Sequence, residues 1–345
     1  MNEKIILKWA VPQPANFAPF TRELQGASKR INERTNGQVT VEISCGGELV
    51  PITETYKAVA SGKVDIGWDY GGYNRNLLYS SAAQLPIWPS GQAGCAFTKQ
   101  VLDKYVRSEM AADGVVPLVY QISNSDDYGL YLNVYHAELF CNKVYTSLND
   151  LKGARILSQN DTSSVFLSLL GIVPVMIPSM HQDVLTALTK NQIDGIFMSC
   201  YTAEFVNVED LMTCCVQLHY PQSEDNYTVI NKKTYDTLPT DIRNIVTEEV
   251  RNWETFLAMD RYLITHQGRE FWDARIKAGL LKSLELTPSE KAFCKQQMEE
   301  PLVDGWVKKQ VAAGLKDARA YMDDLLKTRD VILALGLPQY TGAID

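Results

Sequence analysis

Over the first seventy residues the apolar pattern switches four times between period two and period 3.6, and that alternation restricts the fold more than any other feature. Leu7 to Val11 reads as a strand, which Pro12, Pro14 and Asn16 break. From Phe17 to Arg34 apolar positions recur at helical spacing, and Asn36-Gly37 closes the segment. Val39-Thr40-Val41-Glu42-Ile43 alternates as a strand, Gly46-Gly47 marks a loop, Ile52 to Ala60 reads as a short helix, and Ser61-Gly62 stops it. Val64 to Trp68 is the third strand. Strand–helix–strand–helix–strand requires a parallel sheet with helices on its faces, because right-handed crossovers place them there.

A second unit of this kind starts at Leu151. A strand ends at Leu157, Thr162 or Ser163 caps a helix over Val165 to Leu170, and Val173 to Ile177 forms a strand. Helix Gln182 to Lys190 and strand Ile193 to Phe197 complete it. The expectation is two α/β lobes. Residues 1–123 plus 213–250 make the first, and 124–212 plus 251–345 the second, with hinges near Ser123-Ser125 and Cys214-Gln217. From Pro239 to about Gly279 apolar residues recur helically with no clear breaker except Gly268, a potential kink. Forty helical residues reach about 60 Å, so this helix has to run across both lobes. Thr287 is the expected cap of a closing helix over Glu290 to Val307, followed by short helices to Leu335.

Composition removes several functions. At 345 residues and a net charge of −8, the chain lacks the basic field of a nucleic-acid binder. The longest apolar run, Val165 to Pro178, is broken by Gly171 and Pro174 and is too short to span a membrane. The start has no basic stretch followed by an apolar run and a small-residue cleavage site, which leaves a cytoplasmic protein or one whose leader is gone. The seven cysteines are scattered, odd in number and without zinc spacing, so no metal or other cofactor is expected. A vicinal Cys214-Cys215 disulfide is the minor reading; two reduced thiols in a strand is the main one. His136, His181, His219 and His266 share no motif with a nucleophile. There is no Gly-x-Ser-x-Gly elbow and no phosphate-binding glycine loop, so the chain does not read as an enzyme.

The ordered set of short motifs resembles the solute-binding proteins of tripartite ATP-independent periplasmic (TRAP) transporters. It runs through Thr35-Asn36-Gly37-Gln38-Val39, Gly46-Gly47-Glu48-Leu49-Val50, Glu54, Ala58-Val59, Ser61-Gly62 and Val64-Asp65-Ile66-Gly67. It continues through Leu85-Pro86, Leu148-Asn149-Asp150-Leu151-Lys152-Gly153, Gly171-Ile172-Val173-Pro174-Val175, Ala187-Leu188 and Ile193-Asp194-Gly195. Leu238-Pro239 with Asp241-Ile242-Arg243 and Leu286-Thr287-Pro288-Ser289-Glu290-Lys291 complete it, so the likeness covers Leu7 to about Gln310. The resemblance implies a type II-like two-lobed fold with hinge strands and a long helix spanning both lobes. It also implies a monomer in the periplasm that closes on a small organic acid and hands it to membrane permease subunits.

Two departures bear on the ligand. Aligned on Asn149 to Gly153, the arginine that the family uses to clamp a carboxylate falls at Leu157, while Arg155 lies two residues earlier and is expected to be structural. After Asp194-Gly195, where the family often has polar residues, this chain has Ile196-Phe197-Met198. The resulting expectation is an acid with an aromatic or apolar body. A simple aliphatic carboxylate held by Arg155, an uncharged or zwitterionic solute, and a sensing role in place of transport are the alternatives. Ligand contacts are expected at strand carboxyl ends: Asn16 and Phe17; Trp68, Tyr70 and Tyr73 with Asp69; Trp88; Asn124 with Asp126 and Tyr128; Arg155, Leu157 and Asn160 with Asp161; Phe197, Met198, Ser199 and Tyr201.

Overall fold

Apolar strands with period two are covered on both faces wherever helices connect them, and here that produces two separate sheets. The computed structural model describes residues 4–13, 15, 18–71, 78–89, 91–123, 136–158, 160–177, 182–221 and 224–337. The strands are β1 (Ile5–Ala10), β2 (Val39–Ser44), β3 (Ile66–Tyr70), β4 (Val115–Ser123), β5 (His136–Cys141), β6 (Arg155–Leu157), β7 (Val173–Val175), β8 (Gly195–Ser199), β9 (Cys214–Pro221), β10 (Glu224–Asn231) and β11 (Lys282–Glu285). The helices are α1 (Ala18–Arg34), α2 (Thr55–Ala60), α3 (Gly91–Val101), α4 (Arg107–Ala112), α5 (Asp161–Leu169) and α6 (Gln182–Thr189). They continue with α7 (Cys200–Phe205), α8 (Lys232–Thr237), α9 (Thr240–Lys277), α10 (Pro288–Met298), α11 (Glu300–Ala313) and α12 (Ala318–Ala334).

The first sheet has the order β2-β1-β3-β10-β4 and the second β11-β9-β5-β8-β6-β7. In the first, β1 pairs parallel with β2 and β3, and β10 runs antiparallel between β3 and β4. In the second, β5 is the strand that runs against its neighbours β8 and β9. The chain changes sheet between β4 and β5 and again between β9 and β10. The second change therefore falls between Pro221 and Glu224, not at Cys214-Gln217 as the sequence suggested. The reason is that β9 pairs along its length with β5 and carries β11 on its other edge.

The long helix α9 runs unbroken for 38 residues, roughly 57 Å at the helical rise. Ile242, Val246, Val250, Trp253 and Leu257 pack on the first sheet with α1. Trp272, with Phe271 and Ile276, packs on the second sheet with α6 and α7. Gly268 does not kink it. A Cβ there would lie 2.7 Å from the Tyr201 Cα, so the glycine exists to let α7 approach the helix backbone. The closing segment also differs from expectation. Thr287 does cap α10 through a capping box with Glu290, but the helix stops at Met298 and α11 begins afresh with Pro301 in its first turn. One 17-residue helix, α12, replaces the expected short ones. It lies against the first lobe, where the Tyr321 ring meets those of Tyr79 and Tyr105 at 4.9 and 4.6 Å, so residues after 251 are shared between lobes.

Candidate functional site

In the first sheet the carboxyl ends of β1, β2 and β3 open on one edge, the place where such sheets receive ligands. Gln13, three residues past β1, is fixed there: its carbonyl accepts from Gly46 N (2.8 Å) and its Nε2 donates to the Tyr70 hydroxyl (3.2 Å). Its Oε1 is buried with no hydrogen-bond partner among the described residues, an acceptor left open at the mouth of the sheet. Tyr70 is half-buried at the end of β3. Sequence reasoning selected Tyr70 but missed Gln13; its position between Pro12 and Pro14 in the first strand-to-helix loop was the available signal.

Two tryptophans assigned to the ligand belong to the core instead. Trp68 is 0% exposed, edge-on to Tyr70 and to Trp253 of α9 at centroid distances of 4.7 and 6.3 Å. Trp88 is buried, its ring tilted on Phe97 and its Nε1 donating to the Ala82 carbonyl at 2.9 Å. Asp69 turns to the opposite face, accepting from Tyr56 N (3.2 Å) and Tyr70 N (2.8 Å). Burial, reinforced by Asp225, holds its carboxyl well above the usual range in spite of those bonds. Asn16, Phe17, Tyr73, Asn124, Asp126 and Tyr128 lie outside the described residues.

In the second lobe the polar residues at the strand ends start helices. Asn160 caps α5, its Oδ1 accepting from Ser163 N (2.8 Å), and Ser158 Oγ sits 2.7 Å from Ser163 Oγ. Asp161 is the first residue of α5. Ser199, also buried, caps α7 by accepting from Thr202 N (3.2 Å). Tyr201 is half-buried on α7, its backbone against Gly268. Both helices thus begin beside the carboxyl ends of β6 and β8, presenting their positive ends there.

The apolar trio is not on the surface of a cleft. Leu157 and Met198 are buried in the cluster that meets α9, while Phe197 points through the other face of β8 to the rings of Phe166 (6.2 Å) and Tyr220 (5.3 Å). Tyr220 is 1% exposed, near the end of β9, and its hydroxyl has no hydrogen-bond partner among the described residues. Arg155 makes a two-pronged pair with Asp194, Nε to Oδ2 at 3.2 Å and Nη2 to Oδ1 at 3.1 Å. Burial raises the Asp194 carboxyl, but Arg155 together with Lys143 more than compensates and holds it below the ordinary value.

A buried polar cluster that the sequence did not reveal lies where β5 and β9 meet the long helix. The β5–β9 register skips at Glu138, and His219 opposite takes a left-handed φ of 49°. Glu138, fully buried, accepts from His219 N (3.0 Å), faces His219 Nδ1 at 3.1 Å and Arg269 Nη1 of α9 at 3.6 Å. Arg269 also donates to Gln217 Oε1 at 3.2 Å. The Glu138 contact raises the His219 pKa against the opposing effect of burial. An acid in the apolar strand His136–Cys141 gives no local sign that an arginine 131 positions later will meet it. Among the described residues no group of His, Cys, Asp and Glu could hold a metal ion, and no helix is long and apolar enough to cross a membrane.

Two sheets joined by two crossing segments and one spanning helix are the architecture of two-lobed solute-binding proteins. The chain belongs to the bacterial extracellular solute-binding protein family 7, the DctP family of TRAP transport systems, whose profile matches residues 16–309. A TRAP solute-binding protein specific for aromatic acids, from an unidentified marine microbe and crystallised with metahydroxyphenylacetate, is similar to it (19% identity, 97% of this chain and 100% of that one, TM-score 0.75). So are a TRAP periplasmic protein from Desulfovibrio salexigens in an open complex (19%, 99% and 98%, 0.73) and one from Roseobacter denitrificans with bound β-D-glucuronate (17%, 93% and 98%, 0.71). At these identities the likeness establishes the fold. A comparison with curated proteins returns no match.

Proposed function

We propose that this protein captures a small organic acid with an aromatic or apolar body between its two lobes, outside the cytoplasmic membrane, and delivers it unchanged to a TRAP permease. The observation that carries this reading is the pairing of Arg155 with Asp194 beside an apolar Leu157, which leaves no clamping arginine on β6. An acid oriented by groups such as Gln13 and Tyr70, and not by an ion pair to Arg155, suits that arrangement. Aromatic-acid binding by the marine relative lends support. Closure stabilises the bound state because contacts from both lobes exist only when the lobes meet.

The test is a thermal-shift screen pairing 3-hydroxyphenylacetate and related aromatic acids with short aliphatic acids, hexuronates and uncharged compounds. A ligand at a hundred times its Kd adds about 2.7 kcal/mol, worth several degrees. A shift with aromatic acids alone supports the proposal, and recovery of the ligand unaltered supports carriage over turnover. Shifts confined to aliphatic acids or hexuronates would defeat the aromatic assignment. In that case Arg155→Ala should abolish binding if Arg155 leaves Asp194 to clamp the ligand, whereas under the proposal it leaves affinity unchanged.

A further inference from the structure

Cys141 and Cys214 stand directly opposite one another on the antiparallel pair β5–β9. Both are 0% exposed and belong to one apolar cluster, whereas their neighbours Phe140 and Cys215 enter the cluster on the other face of the sheet. That alternation separates Cys214 from Cys215, so a vicinal bond between them would require one side chain to cross the sheet. Opposed residues of an antiparallel pair have Cα atoms roughly 4.5 or 5.5 Å apart, inside the span of roughly 4.4–6.8 Å that a disulfide bridges. The ladder therefore places the two Cα atoms within the span a disulfide bridges. In this structure both are free, with Cys214 Sγ 4.0 Å from the Tyr145 carbonyl oxygen.

We propose that Cys141 and Cys214 form a cross-strand disulfide when the chain folds under oxidising conditions, an inference that rests on the extracytoplasmic reading for its setting in the cell. The oxidant is a disulfide. The thiolate of one cysteine attacks it, forming a mixed disulfide and releasing one thiolate. The second cysteine then attacks the mixed disulfide, forming the Cys141–Cys214 bond and releasing the other thiolate. The two protons leave the protein thiols, and the oxidant takes up two electrons to become two thiols. Burial pushes both thiols up, so reactive thiolate is scarce in the finished fold, and the exchange belongs to the period before β5 and β9 have closed. Cys200 and Cys215 share a cluster but are not opposed on a ladder: Cys215 faces Phe140, and Cys200 begins α7.

The experiment refolds the full chain in glutathione buffer and, in parallel, in dithiothreitol, then unfolds it without reductant and alkylates. Oxidative refolding should leave five of the seven thiols titratable, and peptide mapping should link residue 141 to residue 214. The bond closes a long loop, so the melting temperature should rise by roughly 5 °C and fall back when reductant is added. Cys215→Ala should keep the link, and Cys214→Ala should lose it. If either variant fails to refold, fragmentation of the wild-type peptide assigns the bond to position 214 or 215. Seven free thiols after oxidative refolding, or a link to Cys215, would overturn the proposal. Thiol counts need neither ligand nor membrane. They can fail while solute capture stands, and the ligand screen can fail while the bond forms.

Discussion

The long helix is tied to the two lobes by ion pairs of opposite polarity. On the first lobe the helix supplies the acid: Glu249 of α9 meets Arg30 Nε at 2.6 Å and Arg34 Nη1 at 2.7 Å, both from α1. On the second lobe the helix supplies the base, Arg269, and the lobe supplies Glu138. The first arrangement gives Glu249 two cations, one of which, Arg34, also pairs with Glu248 at 2.8 Å. The second places one arginine, itself paired with Asp273 at 3.1 Å, 3.6 Å from a fully buried acid whose other charged neighbour among the described residues is His219. The carboxylate with a single arginine is the one whose loss of partner is felt, because removing that arginine leaves an uncompensated charge in the interior.

Breaking the second tie should have the largest effect. Arg269→Met should cost roughly 2–3 kcal/mol in chemical denaturation, below the full buried-pair penalty because Arg269 is a third exposed. Gly268→Ala comes next. Its Cβ would meet backbone at 2.7 Å, so a loss of about 1–3 kcal/mol is expected; a neutral result would show that α7 shifts freely against α9. Arg30→Met should cost about 1 kcal/mol or less, since Arg34 keeps Glu249 paired, and a loss equal to that of Arg269→Met would erase the contrast.

The smallest effects are in pH. Burial raises the Glu249 carboxyl, and the two arginines lower it further than that, giving a net depression. Its contribution is present above the unfolded value of about 4.3 and lost as pH falls through the folded value. His219 has the opposite sign. Its raised pKa makes its contribution complete below about 6.5 and lost as pH rises through the folded value. Melting curves between about pH 6 and 8.5 should therefore show a decline in the wild type that His219→Gln flattens. Parallel curves for the two proteins would remove His219 from the account.

Local patterns carried the first lobe's alternation, the Thr287 cap and the long helix, whose expected span of 239–279 became Thr240–Lys277. What they could not carry was pairing at a distance. Strand β10 lies between β3 and β4 because of hydrogen bonds to residues about a hundred or more positions earlier. The cap of α5 was placed two or three residues late, since Ser163 answers Asn160 within the capping box and does not initiate the helix. The site was harder to read for one reason. Both faces of β8 are covered by helices, so Phe197 and Met198 are both interior although they are consecutive. Proximity to a strand's carboxyl end therefore failed to select for Trp68, Phe197 and Met198. Gln13, beyond the last ladder position of β1, is the residue at that end whose buried side-chain oxygen has no partner among the described residues.

The antiparallel place of β10 has a consequence for how the molecule comes into being. Among the described residues strand β4 has no partner in its sheet except β10, which is separated from it by the whole run from β5 to β9. While the chain is emerging, the amino-terminal third can assemble β1, β2 and β3 but cannot finish its own layer. The last strand of the first lobe must wait until nearly all of the second lobe's strands have been synthesised. Completion of either sheet is thus postponed until most of the other has been made, since β10 closes the first and β11 the second.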